Sequence, residues 1–379
     1  MNNATDVATI TAKADREFPI FKELESHLIE SGKLNNVKVG WHCHLTAITA
    51  VAAKCLTASG VELYLSECTP ATTEGSAVEQ MRLDGATIHL GPDSPKRVLE
   101  HDPSIISDTG LVLTETYLAA SKERSSSFYG ASEITGSGIS RLRSLERIDL
   151  PVINLNDGVI KSKIENFHGV GDGLVEALAL VSKRSFIKET ATVVGYGQVG
   201  AGAAHYLKRN GVNVKIAETD PVRALLAHYD GYTLGSLEDG LLSGSLLVTA
   251  TGKKFLISEE LWQNARNDLT VVNLGHWQEE PNLEALEKVS KHQEKLSKAI
   301  STYTLEKTGN KVHVYTGGAP ANVALLTGSI EPTLLHLATE ILTMDYLVEE
   351  GQNLAPGEQP LPYKLEKEVS RLALRALKR

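Results

Sequence analysis

Ala191-Thr192-Val193-Val194-Gly195-Tyr196-Gly197-Gln198-Val199-Gly200-Ala201-Gly202, followed by Val212-Asn213-Val214-Lys215-Ile216-Ala217-Glu218, decides how the rest of the chain is read. A β-branched run enters a Gly-x-Gly-x-x-Gly turn, Ala and Leu recur at helical spacing over residues 199–209, and a second apolar run ends in an acid. This is a β-α-β unit shaped for a dinucleotide. Gly195 permits the tight turn, Gly197 removes the side chain that would block a pyrophosphate, and Gly200 lets the helix lie against the sheet. The helix N-terminus then faces the phosphates, so Gly195, Gly197, Gln198, Val199 and Gly200 are the expected contacts. Glu218, eighteen residues on from Gly200, can accept both ribose hydroxyls and would repel a 2′-phosphate, which favours NAD over NADP.

Working outward, the chain has 379 residues, 42% of them hydrophobic and 22% charged, enough for two domains with real cores. No window approaches the apolar length of a membrane span. The first six residues carry neither a basic nor an apolar leader region, so a cytoplasmic protein is expected. Cys43, Cys55 and Cys68 are too few and too unevenly spaced for a disulfide framework or a zinc site. The net charge of −9 is scattered and offers no footprint for nucleic acid or an anionic membrane, leaving a small-molecule substrate as the expected partner. His42-Cys43-His44 could present two imidazoles on one side of a strand, but no third ligand completes a tetrahedral set, and no metal is expected.

Before the glycine-rich unit, strand-like runs at 37–41, 61–65, 87–90, 105–107 and 150–153 alternate with helical segments such as 46–58. That rhythm implies a parallel sheet covered by helices, with ligands collecting at the carboxyl ends of the strands. His42-Cys43-His44, Ser66-Glu67-Cys68, Asp108 and Asn154-Leu155-Asn156-Asp157 occupy those ends. After Glu218, strands are expected at 246–249, 270–273 and 311–315. Thr249, Thr251 and Asn273 at their ends should line the nicotinamide side, with His276 nearby. Residues 169–188 read as a helical bridge, 351–362 as a Pro/Gly-rich loop and 364–379 as a final amphipathic helix. The expected fold is α/β, two doubly wound Rossmann-like domains with a cleft between them: residues 1–160 plus 320–379 as the substrate domain, and 161–319 as the NAD-binding domain.

Asn156-Asp157-Gly158-Val159-Ile160-Lys161-Ser162-Lys163-Ile164-Glu165-Asn166, the Gly195 loop with Glu218-Thr219-Asp220-Pro221, and Asn273-Leu274-Gly275-His276 together resemble S-adenosylhomocysteine hydrolase. Cys43-His44-Leu45-Thr46, Ser107-Asp108-Thr109-Gly110 and Ser132-Glu133-Ile134-Thr135-Gly136 are similar to the same family, in the same order. The resemblance implies an enzyme that retains NAD, oxidises a ribose hydroxyl, expels a β-leaving group and returns the hydride. It further implies that Lys161 assists deprotonation of the oxidised hydroxyl, with Glu165 tuning it. Asp108 and His44 would serve as the acid/base pair near the leaving group, and His276 would border the substrate. Asn166, Thr135 and Ser137 would touch NAD. Without the resemblance, Lys161 and Glu165 would be a helix-surface ion pair, and Asp108 a helix cap.

Departures from the pattern bear on the substrate. A second acid, which in the family holds ribose hydroxyls, is Ile134 here; an adenine-reading residue is Ile48; a gating histidine is replaced at Ala319, and a cysteine near the nicotinamide by Val170. Glu165 stands where the family has Asp. A site built to hydrogen-bond a ligand rejects one that mismatches those bonds by about 10⁴-fold or more. The sequence therefore points to transient oxidation of a substrate alcohol or amine other than S-adenosylhomocysteine. The alternatives are genuine S-adenosylhomocysteine hydrolysis, net dehydrogenation, or an NAD-loaded regulatory protein. A homo-oligomer is expected. The chain ends at Arg379, short of the tail that in the family reaches a neighbouring subunit's cofactor, so a dimer is expected ahead of a tetramer.

Overall fold

A computed structural model describes residues 7–120, 127–182, 185–297 and 299–377; the opening residues read above for a leader lie outside them. The chain divides into two compact units, one of Met1–Glu165 with Ile330–Arg379 and one of Asn166–Ser329. The sequence placed these boundaries after residues 160 and 319. Among the described residues no helix is long and apolar enough to cross a membrane.

In chain order the strands of the first segment are Lys38–Cys43 (β1), Glu62–Glu67 (β2), Thr87–His89 (β3), Ile105–Asp108 (β4), Gly130–Glu133 (β5) and Pro151–Asn154 (β6). Those of the second unit are Thr190–Val194 (β7), Asn213–Ala217 (β8), Thr233–Leu234 (β9), Leu246–Thr249 (β10), Leu269–Asn273 (β11), Ser290–Lys295 (β12), Ile300–Leu305 (β13) and Lys311–Tyr315 (β14). Gly357–Pro360 (β15) returns to the first unit.

The first unit holds a sheet in the order β15-β6-β5-β4-β1-β2-β3, parallel at every described pairing. A parallel sheet must be covered on both faces, which is why its strands read as continuous apolar runs. Alternate residues divide accordingly. Val39, Trp41, Ile105 and Ile153 enter one core with the helices Ile20–Ser31, Ala47–Ala58, Ile330–Glu350 and Tyr363–Ala376. Their neighbours Ile106, Ala131 and Val152 enter the opposite core with Ser94–Leu99, Val112–Ala119 and Gly136–Leu142. Thr46 opens Ala47–Ala58 by accepting the Thr49 N–H on its side chain.

The second unit holds a sheet in the order β12-β13-β14-β11-β10-β7-β8-β9, in which β13 runs antiparallel to both β12 and β14. Val193, Val248 and Val272 pack on one face with Val170–Ser182 and Gln198–Arg209; Val194, Leu247 and Val271 pack on the other with Leu241 and Trp262.

The structure departs from the sequence reading in several places. Residues 351–362 are not all loop, because Gly357–Pro360 pairs along β6 as an edge strand, where a proline removes no needed donor. Ser290–Lys295 is charged, exposed and at an edge, so it lacks the apolar alternation by which strands are read. β5, Gly130-Ala131-Ser132-Glu133, is wholly buried but contains no large or β-branched apolar residue by which a strand is read. Finally, Ile160–Gly169 is a wide π-type helix that leads into Val170–Ser182, and helices of this kind concentrate at functional sites.

Gly202 marks the closest approach between helices in the second unit: a Cβ there would lie 2.2 Å from the Phe167 carbonyl oxygen. Gly202→Ala therefore forces backbone apart and should cost about 1–3 kcal/mol in urea unfolding. An unchanged midpoint would contradict this packing.

Candidate functional site

In the second unit the glycine-rich turn has the geometry a dinucleotide needs. Gly195 sits at φ +95°, closed to ordinary side chains, and a Cβ on Gly200 would lie 1.9 Å from the Gly195 carbonyl oxygen. A Cβ on Gly197, by contrast, would meet nothing nearer than Arg223 at 3.9 Å, so open space lies before the N-terminus of Gln198–Arg209, where a pyrophosphate would sit. Glu218 follows β8 and accepts the N–H of Tyr196 at 2.7 Å and those of Thr219 and Asp220 at 2.7 and 2.9 Å. Burial acts to raise its carboxyl, but these amides and the Arg223 charge outweigh it and hold the group below the usual range. Its ionised form suits the ribose-binding role expected of it.

Other expected cofactor contacts are occupied by the protein itself. Asn273 donates through Nδ2 to the carbonyls of Gly275, Trp277 and Gly318 and accepts from Gly275 N–H and the Thr249 hydroxyl, tying together three strand ends. Thr251 donates its N–H and hydroxyl to Glu280, which also takes the Gly252 N–H. Burial lifts this fully covered Glu280 to about 7, against the opposing pull of those hydrogen bonds. No local signal marks this residue, since an acid in a Glu-Glu-Pro loop looks solvated. Asn166 bonds to Gln198 at 2.6 Å, bringing two of the expected NAD contacts together. Val199 packs against the core of this unit, and His276 stacks edge-on with Trp277. Ala319 is fully buried, and Val170 nearly so.

In the first unit the carboxyl ends of β1, β2, β4 and β5 gather polar side chains that are mostly buried. Asp108 accepts the N–H of Thr109 at 2.9 Å and that of Thr114, in the first turn of Val112–Ala119, at 2.6 Å. It caps this helix, whatever else it does. Glu133 accepts from the N–H groups of Gly110, Leu111 and Thr135 and from the Thr135 hydroxyl. Leu111 is thereby held at φ 63°, a conformation non-glycine residues adopt only under constraint. Burial, and then the charge of Asp108, push the Glu133 carboxyl well up. Thr135 caps Gly136–Leu142 and takes the Ser137 hydroxyl, so both of these expected NAD contacts are engaged locally. Asp157 takes the side-chain amides of Asn154 and Asn156 and pairs with Arg143.

His44 follows β1 and bonds through Nδ1 to the Thr72 hydroxyl at 2.7 Å. Thr72 in turn donates to the Thr69 carbonyl at 3.3 Å, which assigns the imidazole proton to Nδ1 and the lone pair to Nε2. Burial lowers His44 to about 4, helped by the fields of His42 and Lys161. Lys161 lies on the π-type helix and meets Glu165 at 2.5 Å, each side chain only 12% exposed. The helix start is held by Glu366, which accepts the Ile160 N–H at 2.8 Å. Lys161 also acts on two residues of Ile330–Glu350 that the sequence did not flag, His336 and Glu340. Their i, i+4 spacing was legible, but it was submerged in the apolar face of that helix. Among the described residues no cluster of three or more metal-ligating side chains is present.

Comparison with known proteins now gives this geometry a context. Residues 166–328 match a family model described as S-adenosyl-L-homocysteine hydrolase, NAD binding domain. Adenosylhomocysteinase from Thermoplasma volcanium is 27% identical over 370 residues, 94% of this chain and 90% of that protein. S-inosyl-L-homocysteine hydrolase from Methanopyrus kandleri is likewise 27% identical over 371 residues, covering 95% and 88%. Adenosylhomocysteinase from Thermosynechococcus vestitus is 28% identical over 377 residues, covering 96% and 88%.

The neutral His44 has a consequence for stability. Its folded value of about 4 lies below the unfolded 6.5, so its contribution is present above pH 6.5 and lost as the pH falls towards 4. Melting temperature should decline through this window, and His44→Gln should show a shallower decline. Parallel acid limbs in the two proteins would contradict the assignment.

Proposed function

The chain belongs to the S-adenosylhomocysteine hydrolase superfamily as a divergent member, with residues 166–328 its NAD-binding domain, and we propose that it oxidises an alcohol or amine of its substrate transiently and restores it within one turnover. Bound NAD would supply the hydride acceptor and donor. The observation that carries this reading is the Lys161–Glu165 pair, nearly removed from water in the unit that does not hold the nucleotide fold. A structural ion pair gains little from such burial, because desolvation offsets its attraction. Here the Lys161 ammonium can hand a proton to the Glu165 carboxylate 2.5 Å away, and the amine so freed can take a hydroxyl proton from the substrate.

His44, neutral with its lone pair on Nε2, serves as a proton acceptor, and Asp108, fixed by two backbone amides, stands as its acidic partner near the leaving group. Glu218 holds the adenosine ribose of NAD, and its charge selects against a 2′-phosphate. We place the substrate outside S-adenosylhomocysteine because Ile134 and Ile48 offer no hydrogen bonds and Ile134 is buried in the core. A second reading, hydrolysis of an S-nucleosyl-homocysteine with a different base, is favoured by one finding. Relatives that act on S-inosyl-L-homocysteine are as similar to this chain as those named for the adenosyl compound.

The test follows nicotinamide absorbance in the holoprotein as alcohols, amines, nucleosides and S-nucleosyl-homocysteines are added. A substrate should produce a transient reduced signal, and Lys161→Ala should slow its appearance by ~100-fold or more without changing NAD content. A Lys161→Ala protein that reduces its nicotinamide at the parental rate would overturn the role given to Lys161. Rapid release of adenosine from S-adenosylhomocysteine would overturn the substrate assignment.

A further inference from the structure

The helix Ile330–Glu350 carries its expected apolar stripe, with Leu334, Leu337, Ile341, Leu342 and Leu347 all buried. Three polar side chains buried with it, His336, Glu340 and Asp345, each have an atom with no close hydrogen-bond partner, though Asp345 pairs through its other oxygen with Lys33. His336 is 9% exposed and its Nδ1 is the unpartnered atom; Glu340, one turn on, is 1% exposed and feels a side-chain hydrogen bond from Trp41. The remaining oxygen of Glu340 accepts the Ser107 hydroxyl, which also bonds Ser132 at 3.0 Å. Elsewhere on the helix, Thr339 and Thr343 close their hydroxyls on carbonyls of the preceding turn. Buried polar atoms are almost always paired, so the unpartnered His336 nitrogen calls for an account.

The surroundings supply it. Lys161 and His44 act electrostatically on His336, and Lys161 acts on Glu340, so the imidazole lies within electrostatic reach of the groups placed at the reacting centre. Burial and those two neighbours hold His336 well below its ordinary value, which leaves a neutral ring with one donor and one acceptor nitrogen. A cationic imidazole would attract a carboxylate or phosphate. A neutral one beside a lysine matches a hydroxyl, an amide or a heteroaromatic N–H.

We propose that His336 is a substrate-contacting specificity residue whose Nδ1 binds an uncharged polar group of the substrate, a hydroxyl or ring N–H of a nucleoside-type molecule. The inference rests on the redox reading above and supplies what Ile134 and Ile48 lack, a hydrogen-bonding group for recognition. His336 positions the substrate and takes no part in the proton transfers assigned to Lys161, Asp108 and His44.

The experiment compares the holoprotein with His336→Leu and His336→Asn, using inosine and adenosine as probes and reduced nicotinamide as readout. His336→Leu should raise the half-saturating probe concentration at least 10-fold while leaving the plateau within about twofold. His336→Asn, whose amide can reach the Nδ1 position, should stay within about threefold of the parent. Melting without probe is the second measurement. Because Nδ1 has no partner in the fold, His336→Leu should melt at or above the parental temperature. Unchanged half-saturation, or a melting point several degrees lower, would overturn the proposal. If neither probe reduces the parent's nicotinamide, the nucleoside part of the reading fails, and melting alone decides His336: a rise supports a binding role and a fall assigns it to folding.

Discussion

A lysine ammonium and a glutamate carboxylate, 2.5 Å apart and largely withdrawn from water, impose the central constraint on the first unit. Placing two charges there is costly unless their surroundings are arranged for them. The fold meets that requirement through a wide helix, Ile160–Gly169, whose first amide is taken by Glu366 of the last helix. The preceding turn is fixed through Asn154, Asp157 and Glu358 of the edge strand. The terminal fifty residues are thus part of the site's support, though they lie far from it in sequence. In turn the Lys161 charge helps keep His44 and His336 neutral. Burial is the larger cause at both histidines, and the Lys161 charge adds to it.

Both units solve the same problem at the carboxyl ends of their strands. A parallel sheet buried on two faces leaves the connecting loops as the place where backbone donors must still be satisfied. Buried carboxyl and amide side chains do this here. Glu133 gathers the 110–111 and 135 amides, Asp108 caps a helix, Glu280 holds the 251–252 turn, and Asn273 joins three strand ends. The acids most conspicuous for chemistry are thus also those that shape the loops. For Asp108 the two roles are compatible, because a carboxylate has lone pairs beyond the two that accept amides.

How much of this was legible depended on whether a residue's signal was local. The β-α-β unit around Gly195 was readable because two of its glycines answer local demands: Gly195 sits at φ +95°, and a Cβ on Gly200 would lie 1.9 Å from the Gly195 carbonyl oxygen. Runs such as Leu246–Thr249 and Lys311–Tyr315 were readable from burial on both faces. Two edge strands were not: Ser290–Lys295 and Gly357–Pro360 are specified by their neighbours rather than by their own pattern. The same distinction holds at the site. Lys161 and Glu165 share a helix and could be paired from spacing alone. Glu280 and Glu366, by contrast, act on amides 28 and 206 residues away, and only the folded chain brings them there. His336 escaped notice because a histidine in an apolar stripe resembles a core residue until its unpaired nitrogen is seen.

The account stands on the possession and internal use of NAD by a chain whose recognition surface has changed. The most direct measurement is the identity and amount of nucleotide released when the purified protein is denatured. NAD in near-stoichiometric amount, with NADP absent, is the predicted result. A protein that releases no nucleotide and takes up none when NAD is supplied, or that holds only NADP, would contradict it.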